Sequence, residues 1–235
     1  MPTTLVIANK LYSSWSMRPW LLLTELGIPF EEVLVPLHRP ETSAGIGRFS
    51  PAGKVPVLVD DGVTVWDSLA IVEYAAERWP DAGIWPRERD ARALARSISA
   101  EMHSGFSALR RACPMNLGRS FAGRDRGEQV AKDAARIESI WSDARARYGA
   151  GGPFLFGAFC AADAMYAPVV TRLDTYGFAL GPEARAYRDA ILGLESFGAW
   201  RMAALREPWV LDVDEVDEPA LVDHRADAGT RVEGR

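Results

Sequence analysis

The sequence predicts an α/β N-terminal part followed by an all-α C-terminal part. Three observations carry this. The first eighty residues read as strand, helix, strand, irregular segment, β-hairpin and helix, which suits a small mixed sheet with helices packed on it. Beyond Gly83-Ile84-Trp85-Pro86 the strand patterns vanish and long amphipathic runs take over. A turn with three serines in four residues joins the first strand to the first helix.

Taken in order, residues 3–8 form the first strand and 16–26 the first helix, which Gly27 stops. Residues 30–35 are the second strand. The segment 38–49, with Pro40, Gly45 and Gly47, predicts a loop with a short irregular helix. Residues 55–59 and 63–66 read as a hairpin about Asp60-Asp61-Gly62. Asp67-Ser68 opens a helix that Trp79-Pro80 ends. Helices are then expected over 89–109, with Leu94, Ile98, Met102 and Phe106 on one stripe, and over 128–148, 161–176, 183–192 and 196–205. The stretch 113–127 reads as a loop or a broken helix end. This gives a first domain at 1–82, a linker at 83–88, a helical domain at 89–206 and an acidic tail at 207–235, which either wraps the surface or lacks fixed structure.

Composition bounds the function. The 235 residues are 48% hydrophobic and 25% charged, with a formal net charge of −5, ordinary for a globular protein. The segment after Val210 holds eight acidic and three basic residues, so the body is formally neutral. That makes a poor binder of nucleic acid or anionic membrane. No N-terminal signal or membrane-spanning run is visible, and a cytoplasmic location is expected. Cys113 and Cys160 fit no metal or redox spacing; no metal site is expected.

Several short motifs carry chemistry. In Ser13-Ser14-Trp15-Ser16-Met17-Arg18-Pro19 a serine caps the helix and proline fits its first turn. A helix N-terminus with hydroxyl donors suits an anion or a thiolate. No cysteine lies in this turn, so a thiolate must arrive on a ligand; the alternative is simply a well-capped helix. Val55-Pro56 stands at a strand start, where proline is allowed, and base rates favour a trans bond. Asp67-Ser68 reads as a helix cap, or as a carboxylate, hydroxyl and N–H set for an α-amino-acid head group. Cys160-Ala161-Ala162-Asp163 has the spacing of a capping box and reads as folding logic. His103, on the stripe Ser99-His103-Ser107, either faces a cleft between domains or is a structural histidine.

As a set, these features resemble the cytosolic glutathione transferase family over residues 3–206. The serine turn most resembles the Ser-Ser-Cys-Ser-x-Arg run of its zeta-like, serine-type members, which include maleylacetoacetate isomerases. The resemblance implies a thioredoxin-like glutathione-binding domain, a helical domain that completes the second-substrate pocket, and a homodimer. It implies that Ser13, with Ser14 as the competing assignment, donates to the sulfur of glutathione. Val55, before a cis Pro56, would pair with the cysteinyl backbone. Asp67 and Ser68 would hold the γ-glutamyl end, and Lys54 the glycine carboxylate. Trp15, His103 and Ser107 would line the second-substrate pocket. Trp15 replaces the zeta cysteine, so the isomerase activity is not carried over. The expected function is transfer of the glutathione thiolate to a small apolar electrophile. The alternatives are cis–trans isomerisation of a small diacid, which needs cationic groups such as Arg110 and Arg111 facing the cleft, and a non-catalytic binding protein.

Overall fold

The computed structural model describes residues 2–227. A four-stranded sheet is built from β1 (Thr4–Ile7), β2 (Glu31–Leu34), β3 (Val57–Asp60) and β4 (Val63–Trp66) in the order β2-β1-β3-β4. β1 runs parallel to β2 and antiparallel to β3, and β3 and β4 form the hairpin. Side chains of period two divide β1 between two cores. Leu5 and Ile7 join Leu58 in the main core, beneath α1 (Ser14–Glu25) and α3 (Ser68–Arg78); Val6 and Val57 pack with Ile46 of α2 (Thr42–Gly47). The sheet is thus covered on both faces.

The helical half comprises α4 (Arg89–Ser104), α5 (Ser107–Ala112), α6 (Glu128–Tyr148), α7 (Ala161–Thr175), α8 (Pro182–Leu192) and α9 (Glu195–Leu205). Buried along almost its whole length, α7 packs against α1, α4 and α8. Its start is fixed by Asp163, which accepts from Cys160 N at 2.9 Å, Leu155 N at 3.1 Å and the Tyr187 hydroxyl at 3.1 Å. The capping-box reading of that spacing holds.

Four features differ from the sequence reading. Helix α1 begins at Ser14, with Ser13 as its cap, because Ser13 Oγ accepts from Ser16 N and closes the turn earlier. The strand expected from Val55 begins at Val57, leaving the cis Val55–Pro56 bond in the preceding loop. The helix expected over 89–109 is broken: Gly105 ends α4, and Phe106 turns through φ 58° before α5 starts. A Cβ at Gly105 would lie 2.7 Å from Glu101 O, so the turn demands glycine. Phe106 is therefore not on the α4 stripe. The expected loop 113–127 contains β5 (Arg119–Phe121), which pairs antiparallel with β6 (Ala220–Asp223) of the C-terminal segment.

That segment wraps back over the molecule through Asp223 and ends its described part in α10 (His224–Asp227). No helix among the described residues is long and apolar enough to cross a membrane.

Candidate functional site

Strand β1 delivers the chain to Asn9, whose carbonyl accepts from Tyr12 N at 3.2 Å and Ser13 N at 2.8 Å, folding the turn. Beside the N-terminus of α1 opens a cleft of about 540 Å³ lined by Trp15, Ala52, Lys54, Val55, Pro56, Trp66, Asp67 and Ser68. It thus gathers Lys54, Val55, Asp67 and Ser68, which β3, β4 and the start of α3 place on its wall.

Ser13 and Ser14 are nearly buried at the head of α1. The Ser13 hydroxyl lies 2.8 Å from Ser16 Oγ, which itself accepts from Ala8 N at 3.0 Å. Ser13 also accepts from Ser16 N, so it is tied into the cap. Ser14 Oγ instead accepts from the guanidinium of Arg172 at 3.1 Å, which leaves its own proton for another acceptor.

Asp67 caps α3 from φ 73°, ψ 134°, a conformation that non-glycine residues avoid and that recurs at ligand sites. Its Oδ1 accepts from Leu69 N at 2.8 Å, and its Oδ2 lies 3.2 Å from His103 Nε2. Ser68, fully buried, accepts from Arg18 at 3.5 Å.

Trp15 stands between two cations. The Arg18 guanidinium lies 4.2 Å from its ring centroid and that of Arg110 4.8 Å, while His103 meets the ring edge-on at 5.2 Å. Arg110 donates to the carbonyls of Met102 and His103. Arg172 donates to Cys113 O at 2.9 Å and Pro168 O at 3.3 Å as well as to Ser14. The partners of these three arginines are hydroxyls and carbonyls, and among the described residues none makes an ion pair. Buried Nε atoms of Arg18 and Arg110 have no partner there. Burial, then the neighbouring Arg110 and Arg172, holds Arg18 well below its usual pKa. Burial and then Arg110 bring Arg172 down to about 10. A guanidinium keeps its proton in proteins, so the cluster is cationic. Burial also lowers His103; Asp67 opposes this, and Arg18 and Arg110 add to it.

Not every expected residue reaches the cleft. Ser107 follows the Gly105–Phe106 break and is exposed at the start of α5. The helical register that would align it with His103 is absent. Arg111 does not join the Trp15 cluster, whereas Arg110 does. Sequence reasoning missed Arg172, and a signal was available: it is the one basic residue of a largely apolar, mostly buried helix. Among the described residues, no group of three or more His, Cys, Asp or Glu side chains is placed to hold a metal ion.

The chain is similar to several known proteins. The family model described as the glutathione S-transferase N-terminal domain matches residues 12–78, the stretch that supplies the serine turn and the cleft wall. A probable maleylacetoacetate isomerase of Caenorhabditis elegans is 28% identical over 73% of this chain and 82% of its own length. The maleylacetoacetate isomerase of Rattus norvegicus is 27% identical over 82% and 89%. A crystal structure of a glutathione transferase homolog from Burkholderia, with bound glutathione, superposes with a TM-score of 0.66 at 26% identity, over 87% of this chain and 98% of that one. Residues 12–78 match the N-terminal-domain family model, the similarity to these relatives extends over most of the chain, and together the findings support a member of the cytosolic glutathione transferase family.

Proposed function

We propose that the protein activates the thiol of glutathione with a serine hydroxyl at the head of α1 and adds the thiolate to a small electrophile. The observation that carries this reading is the juxtaposition of that hydroxyl-rich helix end with the cleft lined by Lys54, Val55, Asp67 and Ser68. Asp67 takes the γ-glutamyl ammonium, and the backbone N–H groups and hydroxyl at Ser68 take its carboxylate. Val55 pairs with the peptide backbone, and Lys54 attracts the glycine carboxylate. These contacts deliver the sulfur to Ser13 and Ser14. The thiol proton passes to solvent; the helix end and one serine proton stabilise the anion, which then forms a bond to the electrophilic carbon. Ser14 is the better-supported donor, since Ser13 is tied into the cap and Ser14 keeps a proton to give.

The acceptor side departs from the apolar wall that the sequence suggests. Guanidiniums flank Trp15 on this side, which supports an acceptor bearing an anionic group. The same cluster favours a second reading, isomerisation of a small unsaturated diacid. In that case the thiolate adds, the bond rotates, and the thiolate leaves again, regenerating glutathione. The named relatives include maleylacetoacetate isomerases, and the cationic groups such a reaction needs are present.

One experiment separates these readings. Glutathione at millimolar concentration raises the melting temperature if the folded state binds it. Turnover is then followed with maleylacetoacetate and with a panel of matched anionic and neutral electrophiles. Consumption of glutathione marks transfer, and conversion without its consumption marks isomerisation. Absence of both binding and turnover rejects the proposal. We also propose a cytoplasmic homodimer, to be checked by sedimentation.

A further inference from the structure

The three residues that lead into the serine turn are held largely by the far end of the chain. Lys10 and Leu11 are buried, and their N–H groups belong to neither a helix nor a sheet ladder. The carboxylate of Glu207 accepts both, from Lys10 N at 2.7 Å and Leu11 N at 3.3 Å. Lys10 O accepts from Trp200 Nε1 at 2.9 Å, and Leu11 O from Leu117 N at 3.2 Å. The Tyr12 hydroxyl donates to Glu215 at 2.6 Å. Ser13 follows directly.

The two carboxylates are themselves fixed. Arg225, also buried, donates to the carbonyls of Glu207 and Trp209. Its place is set by the β5–β6 ribbon, where His224 N donates to Gly118 O at 2.9 Å. Glu215 accepts from Asn116 Nδ2 at 3.1 Å and from Arg119 at 2.9 Å. A continuous path therefore runs from the ribbon through Arg225 and Glu207 to the backbone two residues before Ser13. The same segment passes the cationic cluster at the half-buried Asp214, whose pKa burial raises and the charge of Arg172 lowers.

We propose that Glu207 and Glu215 are positioning residues for the serine turn, so that the C-terminal segment belongs to the thiol-activating apparatus. The inference rests on the serine role proposed above. A serine–sulfur hydrogen bond weakens steeply with distance and angle, and a turn released from its anchors no longer holds that geometry. A carboxylate serves here because its two oxygens each take one N–H, which fixes both peptide planes at once.

The test uses the full chain well below its melting temperature. The thiolate of bound glutathione is titrated by its ultraviolet absorbance, and kcat and KM for glutathione are measured in parallel. In E207A the bound thiol's pKa rises by about one unit and kcat falls about tenfold, with KM changed less than about twofold. In E207Q, which keeps one acceptor oxygen, both changes are smaller. Y12F and E215A, which reach the turn through a part-exposed contact, give the same direction and are non-additive when combined. That pair carries the test if E207A does not fold. A folded E207A with the wild-type thiol pKa and kcat, and only a lower melting temperature, overturns the proposal. So does additivity of Y12F and E215A. If wild type itself forms no thiolate, the serine reading fails, and this proposal fails with it.

Discussion

The guanidinium of Arg172, in the last turn of α7, donates to the hydroxyl of Ser14 at 3.1 Å. The bond crosses from the helical half to the first turn of α1 and splits the roles of the two adjacent serines. Ser13 caps the helix; Ser14 is backed by a cation and keeps a proton to donate. Ser14→Ala is expected to lower kcat about a hundredfold, the usual loss for one preorganised donor, and to raise the pKa of the bound thiol. Ser13→Ala is expected to cost about 1 kcal/mol of stability through the lost cap, with the smaller effect on kcat. Steady-state kinetics and thermal melts on both variants check this. If Ser13→Ala loses turnover and Ser14→Ala does not, Ser13 is the activating hydroxyl.

The Trp15 cluster makes a claim about the acceptor. Arg110 is only partly buried, unlike Arg18 and Arg172, so it is the cation best placed to meet a ligand. Arg110→Gln should raise KM for an anionic electrophile about tenfold, the usual scale of one charge-assisted hydrogen bond. It should leave a neutral electrophile of matched reactivity within about twofold. Equal losses for both acceptors would show that Arg110 only supports the end of α4 through the Met102 and His103 carbonyls.

Glu207 gives a pH dependence with a definite sign. Burial raises its folded-state pKa from 4.5 to about 7, against the lowering effect of the Lys10 and Leu11 N–H groups. The folded state therefore holds the proton more tightly than the unfolded chain. The associated stability is fully present below about pH 4.5 and is lost as pH rises through about 7. Asp163, raised by burial from 3.8 to about 6, acts in the same direction over a lower window. Asp60 and Glu218 are lowered and act oppositely, in the acid range. The comparison is thus confined to pH 5–8 and made between variants. Over that range the wild type should lose more melting temperature than Glu207→Gln, and parallel curves for the two proteins would refute the assignment.

The parts of this molecule that were legible in the sequence are those set by local pattern. The apolar run from Leu5 to Ala8 gave the first strand, the Asp60-Asp61-Gly62 turn gave the hairpin, and Ser13 and Asp67 stood where helix caps belong. What escaped depends on residues far apart in the chain. The apolar stripe Leu94, Ile98, Met102, Phe106 runs smoothly through Gly105, and only the approach to Glu101 O makes that glycine a break. β5 and β6 are short and about a hundred residues apart, so neither is recognisable without the other. Arg18, Arg110 and Arg172 lie on three helices, and only tertiary packing beside Ser14 and Trp15 brings them together. Ser107 was placed by extending a helical register past a point where the helix stops.

The helical half offers a separate test, remote from the cleft. Asp163 is fully buried, and both its oxygens accept: Oδ1 from Leu155 N and the Tyr187 hydroxyl, Oδ2 from Cys160 N. In Asp163→Asn one oxygen becomes an NH₂ group. Whichever way the amide turns, a donor then faces a donor in a fully buried site. The expected cost is about 2–4 kcal/mol, or roughly 5–15 °C in melting temperature for a chain of this size. Because the residue caps α7 and touches no cleft residue, kcat per folded molecule should stay within about twofold of wild type. Differential scanning calorimetry with active-site titration measures both quantities. A variant that melts like the wild type would show that this carboxylate does not anchor the central helix.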